Sequence, residues 1–446
     1  MRHWIVALLT VCATSAAAQQ MEMDSTPRPQ GPPMSASTSL ALPMTRDGSG
    51  TGWNPDASTM YGWMYHAKHW MYMVHGSVYL RYTAQDAFHE GTHGGAQWDA
   101  PNWIMGMAQR RVGEKGLLHV NLMMSADRLT EGGAGYPLLF QTGESWHGKP
   151  LIDRQHPHDL FAEASASYAY TINKDQDVFV YVGYPGEPAL GPVTFMHRPS
   201  AFFDPDAPIG HHWQDATHIT FGVATLGYRL DDWKLEVSNF TGREPDENRY
   251  NFDKPRMDSY SARLSFAPSE RYTFQVSEGY IKSPELLEPD INVWRTTASA
   301  QAAFDRLDLS LVWGMNKDER EDPDQSILAE AAYRVRDWAW YTRYEWVQKT
   351  GDELQQPPAI YSIQALTLGL NKELFHTGEL AWALGGQTTL NLPDQRLRAT
   401  YGNLPIAGEV FLQVRPRLMR MGHKKVKAAK TPVQPAKSRM DMDMKM

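Results

Sequence analysis

Two stretches carry the residue types that bind metal ions. In IDRQHPHD, residues 152–159, His156 and His158 flank a proline. The fixed φ of that proline limits their relative movement, so the pair is a candidate two-imidazole site for copper, zinc or nickel. GHHWQDATH, 210–218, adds His211 and His212. The second stretch, MYGWMYHAKHWMYMVHG, 60–76, sets Met64, His66, His69 and Met71 among large aromatics. Thioethers favour Cu(I), so these four form a candidate copper set. In both stretches, structural ion pairing, hydrogen bonding and rim packing are the competing reading.

Around the histidines lie groups suited to a charged network. They are Asp153, Arg154 and Asp159, then His197, Arg198, Asp215 and His218, then Arg243, Glu244, Asp246, Glu247 and Arg249. Charged groups of this kind are stable in a membrane protein when they pair away from lipid. Nucleophilic catalysis, as in a lipid hydrolase, needs a serine beside a base and an orienting group. Ser145 is near His147 and Ser200 is near His197 in sequence, but neither has a recognisable third partner, so no catalytic residue is assigned.

The elements that position these groups show a period of two. RDWAWYTRYEWV puts Trp338, Trp340, Thr342, Tyr344 and Trp346 on one face, with Arg343 and Glu345 on the other. DDWKLEVSNF and SYSARLSFAP repeat the device. Alternation of this kind marks strands with one apolar and one polar side. Tight links at 113–115, 173–176, 231–232, 268–270, 305–306, 336–337 and near 374–377 alternate with long polar segments. Short periplasmic turns and long extracellular loops are the pattern of an outer-membrane barrel. The reading is an all-β, antiparallel transmembrane β-barrel of about 16 strands, with 14–18 compatible, over 72–418. Segments 128–159 and 186–216 are long enough to constrict its lumen.

Composition agrees. The 446 residues carry 11% aromatics and a formal net charge of -8, and no run past the start approaches the roughly 20 apolar residues of a membrane helix. Residues 1–18 read as a signal peptide with an A-x-A end, and Cys12 inside it is the single cysteine. Export without cysteine excludes disulfide and thiolate chemistry, and the charge balance gives no signal for nucleic acid. Residues 19–59, rich in Pro, Gly and Ser, read as a disordered periplasmic segment. Residues 60–71 read as a periplasmic rim, with Trp63, Trp70 and Tyr72 as interfacial anchors. Residues 419–446 read as a basic, Met-containing periplasmic tail.

The blocks YPLLFQTGE (136–144), IDRQHPHD (152–159), GPVTFMHRPSA (191–201), PIGHHWQDATHI (208–219) and GREPDENR (242–249) carry a resemblance. In order and spacing, the span from about 60 to 418 resembles an uncharacterised family of predicted outer-membrane proteins from Gram-negative bacteria. The resemblance implies a barrel in the outer membrane and no established activity. A looser likeness, through the Met/His bias, is to copper-resistance outer-membrane proteins, although a long regular Met repeat before the barrel is missing.

The expected function is a channel or transport-related barrel for a small polar solute or metal ion, linked through its ligands to copper or another divalent transition metal. A closed structural or surface-recognition barrel is the alternative, and a membrane-embedded hydrolase a more distant one. Outer-membrane lipid and further copies of the chain are the expected partners.

Overall fold

The computed structural model describes residues 34–319 and 322–419. The expected signal peptide, the first part of the expected disordered segment (19–33) and the tail methionines from Met421 onward lie outside the described residues.

The alternating segments close on themselves. Sixteen long antiparallel strands run from β1 (Met71–Gln85), β2 (Asn102–Val112) and β3 (Gly116–Met124) round to the last, β16 (Ile406–Pro416), which pairs with β1. Two short segments extend β1's pairing: Trp63–His66 at one end and Gly95–Asp99 at the other. Gly95–Asp99 leads into β2 across Ala100–Pro101, where proline has no N–H to give the ladder.

The expected strand phase holds. On Trp338–Thr350 the exposed residues include Trp340 and Tyr344, while Arg343 and Glu345 are buried inward. On β1, Tyr72, Val78 and Leu80 face outward, and Met73, Ser77, Tyr79 and Arg81 are buried. Six of the seven expected tight links coincide with short connections between consecutive strands, the seventh lies just past its expected place at 378–379, and the long segments lie together at the opposite end. At the short-turn end, Trp70 and Tyr65 stack on Tyr72 with centroids 6.3 Å away, and Trp338 stacks on Trp340 at 6.2 Å. Amphipathic rings of this kind settle at a membrane interface.

The lumen is filled. Part of the segment expected to be disordered, residues 34–59, instead folds within the barrel. Ser35–Ala36 pairs with Ser39–Pro43, and a 3-10 turn follows at Met44–Arg46. Composition misled here because it assumes water on every side. Inside a barrel the wall supplies the partners that a Pro/Gly/Ser-rich chain cannot supply for itself. Arg46 pairs with Asp56 at 2.5 Å, Ser49 donates to Glu187 at 3.0 Å, and the Thr51 hydroxyl accepts from Arg263 at 2.9 Å. Lys234 lies 4.7 Å from the Trp53 ring centre. Loops 125–160 and 184–222 occupy the rest of the interior, with Phe140, Arg198, Phe203 and Trp213 almost fully buried.

Candidate functional site

The two folded-in loops bring the candidate histidines together. His211 and His212 lie on the short helix His211–Gln214, and His218 on the turn after it. The His211 ring centre is 5.3 Å from that of His212 and 5.1 Å from that of His218. From the other loop, His158 lies 5.5 Å from His218 and His156 lies 5.9 Å from His212. The HxH pair thus finds its spatial partners in the second loop.

Three of the rings are oriented by a hydrogen-bond acceptor, and the other two lie beside a carboxylate. Asp127 accepts from His158 Nδ1 at 2.6 Å, Asp215 from His211 Nδ1 at 2.5 Å, and the Asp215 carbonyl from His218 Nδ1 at 2.9 Å. Glu244 lies 3.5 Å from His212 Nδ1, and Glu144 lies 3.3 Å from His156 Nε2. The Nε2 atoms of His158, His212 and His218 are buried with no hydrogen-bond partner. A carboxylate on one nitrogen with the other nitrogen free is the arrangement that prepares imidazole to bind a metal ion.

Burial favours the neutral form of four of the rings, His156, His211, His212 and His218. It pushes His212 down to about 3, helped by the charges of Lys349 and Arg295. It holds His218 and His156 well below the usual histidine range, with the neighbouring imidazoles adding to the effect at His218 and the Arg249 guanidinium at His156. His211 is also lowered by burial, partly offset by Asp215. Burial alone would raise Asp215, but His211 and Arg198 hold it well below the carboxylate range. Among the described residues, no three His, Cys, Asp or Glu side chains close on one point as a metal cage.

The charged candidates form the frame around the imidazoles. Arg198 bridges Asp215 at 2.9 Å and Glu330 at 3.0 Å. Arg249 bridges Glu144 at 3.0 Å and Asp159 at 3.2 Å. Asp153 contacts His93 and accepts from the Phe140 N–H at 2.6 Å. Arg154 donates to Gln97 at 3.0 Å, and Arg243 to the Ser283 carbonyl at 2.6 Å. Asp246 N–H donates to Asp253 at 2.8 Å. Glu247 accepts from Ser145 at 2.8 Å. His197 stands apart from the cluster, with its ring 5.5 Å from that of His75. Ser200 bonds Ser310 and Glu330, so neither serine considered for catalysis is bonded to an imidazole.

The candidate rim set divides. His66 and Met71 are cross-strand partners, and Met71 is buried inward; His69 is exposed in the turn 67–70. Met64 packs against an apolar cluster inside the barrel.

Sequence reasoning missed the cavity above the histidines, because its carboxylates come from separate loops with no shared motif. It is a pocket of about 290 Å³ at the long-loop end. Glu144, Glu244, Glu285, Asp324 and Glu353 line it, together with His212, and Arg295 is the single arginine among the described residues of its wall. Burial raises Glu244 to about 7 and Glu144 to about 8 against the opposing pull of nearby arginines. A second, small cavity shares Glu144, His212 and Glu244 with it and reaches His156, His158, His211 and His218. A third shares His156 and His158 and reaches Trp103, Phe195 and Met196.

Among solved structures, the chain is similar to OmpF of Salmonella typhi in complex with daunomycin, at 10% identity and a TM-score of 0.51, over 79% of this chain and 100% of that one. An anion-selective porin from Comamonas acidovorans is matched at 11% identity and a TM-score of 0.47, over 78% and 99%. The outer-membrane channel DcaP of Acinetobacter baumannii is matched at 9% and 0.47, over 79% and 99%. The likeness to OmpF shows the fold: a closed, sixteen-strand antiparallel β-barrel of the porin type. No protein-family model matches the chain, and no curated protein does. The looser likeness to copper-resistance proteins therefore gains no support from the comparisons.

Proposed function

We propose that this chain is a gated outer-membrane channel that accepts a small cation, a divalent transition-metal ion, at its long-loop end and passes it inward over the histidines. One observation carries the reading: the acidic pocket is lined by His212, whose buried Nε2 has no hydrogen-bond partner, a second cavity shares His212 with it, and a third shares His156 and His158 with the second. Carboxylates attract the hydrated ion, and neutral imidazoles replace part of its hydration shell. The imidazoles are spread along the path, as transit requires, because a conducted ion must bind in several places and tightly in none. In this reading the long loops are extracellular and the short turns periplasmic.

The filled lumen favours a closed barrel as the second reading. Zinc influx into vesicles holding a zinc-sensitive dye separates the two. The wild type should exceed protein-free vesicles, and His212→Ala with Glu244→Gln should slow influx several-fold. Wild-type influx equal to protein-free vesicles, with or without residues 34–59, would leave the closed barrel standing.

A further inference from the structure

The stretch of lumen wall formed by β1, β2 and β3 is lined with thioethers. The spacing Met-x-Met occurs on β1, at Met71 and Met73, and again on β2, at Met105 and Met107. Residues two apart on a strand share a face, and all four are buried inward. Strand register then assembles them into rows. Met64, Met73 and Met107 are directly opposed on three neighbouring strands. Two residues further along, His75, Met105 and Met123 are opposed in the same way. Directly paired residues have Cβ atoms roughly 4.5–5.5 Å apart. Each row therefore offers three soft donors within reach of one ion: three thioethers in the first, two thioethers and an imidazole in the second. The His75 Nε2 is buried and has no hydrogen-bond partner.

The interior covers these rows with the same chemistry. Met44 from the N-terminal plug and Met196 from the 184–222 loop belong to the same buried cluster. Of the described methionines, only Met124, Met257 and Met315 lie outside it or its packed fringe. The other apolar clusters of the lumen are built from Leu, Ile, Val, Ala and aromatic residues and contain no methionine. Methionine as a gap-filler would be scattered through all of them. A porin-type lumen is expected to be polar at its wall, which makes the concentration more distinctive. Glu163, paired with Met123 in the register, supplies a carboxylate beside the second row.

We infer that the two rows, Met64–Met73–Met107 and His75–Met105–Met123, form a binding site for a soft monovalent metal ion of the Cu(I) and Ag(I) type. Neutral thioethers hold such ions and discriminate against hard or borderline dications. The site differs from the proposed divalent path in its ligands, and it stands or falls without it.

Silver ion, which needs no reductant, is the probe. Folded full-length protein in detergent is dialysed against Ag⁺, and retained metal is measured for wild type and for Met73→Leu/Met105→Leu. Leucine keeps the volume and apolar character of the wall, so the barrel has no reason to change. The variant should bind silver at least tenfold more weakly while its zinc influx in vesicles stays at the wild-type level. Undiminished silver binding by the folded variant would overturn the site and assign the metal to methionines elsewhere in the chain. Anomalous scattering from silver-soaked wild-type crystals tests the site without any variant. A peak within bonding distance of Met73 or Met105 supports it, and silver sites confined to other parts of the chain overturn it. Loss of zinc influx in the wild type would fall on the divalent path alone.

Discussion

Arg81 Nη1 lies 3.4 Å from Glu409 across the seam where the first and last strands close the barrel. The same guanidinium holds Asp99 through two bonds of 2.9 Å and reaches Asp206 of the folded-in loop at 2.5 Å. One arginine thus ties wall, seam and lumen together. Its side chain is fully buried, so removing it leaves several carboxylates without their partner. Arg81→Leu should cost roughly 3–5 kcal/mol, the range for breaking a buried pair. Arg81→Lys should also destabilise, because an ammonium cannot reproduce the fork on Asp99. Urea unfolding in lipid vesicles checks both, and Lys174→Ala on an exposed turn should leave the midpoint unmoved. An Arg81→Leu midpoint equal to wild type would remove this seam from the account.

The seam shows how far the sequence could be read. Period-two alternation places Arg343 and Glu345 inward, because a lipid face tolerates no such charge. Turn and loop lengths then give about sixteen strands, with 14–18 compatible. Side-chain phase, however, reports only which face a residue takes. It does not report what fills the lumen, so Arg81's contact with Asp206, 125 positions away, was not legible. Residues 34–59 failed for the same reason: their partners are supplied by the wall. At the site, His156 and His158 stood out through an unusual spacing, and their meeting with His211, His212 and His218 depended on loop packing. The methionine rows did leave a signal, in Met-x-Met repeated on two neighbouring strands, but their opposition required the register.

The plug makes labelling specific. Ser49 is buried, while Leu287 in a long loop is 42% exposed. A cysteine at Leu287 should react with a membrane-impermeant maleimide on intact cells. A cysteine at Ser49 should stay unreactive both there and after the outer membrane is permeabilised, since it sits inside the barrel. Fast labelling at position 49 after permeabilisation would mean that the segment hangs free in the periplasm.

Docking of the plug should weaken as pH rises. Burial lifts Asp47 to about 7, against hydrogen bonds from Ser37, and lifts Glu187, which accepts from Ser49, to about 8. Both groups take up protons more readily docked than in water, where they would titrate near 3.8 and 4.5. Their contribution is therefore fully present below about pH 4 and is lost as pH climbs through 7 and 8. Amide exchange in residues 35–54, corrected for intrinsic rates, should show greater protection at pH 5 than at pH 8. Equal protection at both would mean that these carboxyls are hydrated in the docked state.

Removing the plug should open the barrel. Residues 34–59 contact the wall through Lys234, Arg263 and Gln301, all of which are lumen-facing and buried. With the segment gone, those polar groups face space that water can enter, and a sixteen-strand barrel is wide enough to conduct. The 184–222 loop stays in place, because Arg198 anchors it to Glu330 and Arg343 to Asp204. The opening is therefore partial and lies on the side of the wall that the plug covered. In planar bilayers the wild type should show only small, brief conducting events, and the protein lacking residues 34–59 should show steady conductance well above that baseline. Salt-dependent selectivity should favour cations, given the carboxylates at the long-loop mouth. A folded deletion variant as quiet as the wild type would show that the loops alone seal the lumen, and the gate would then have to be sought in the 184–222 segment.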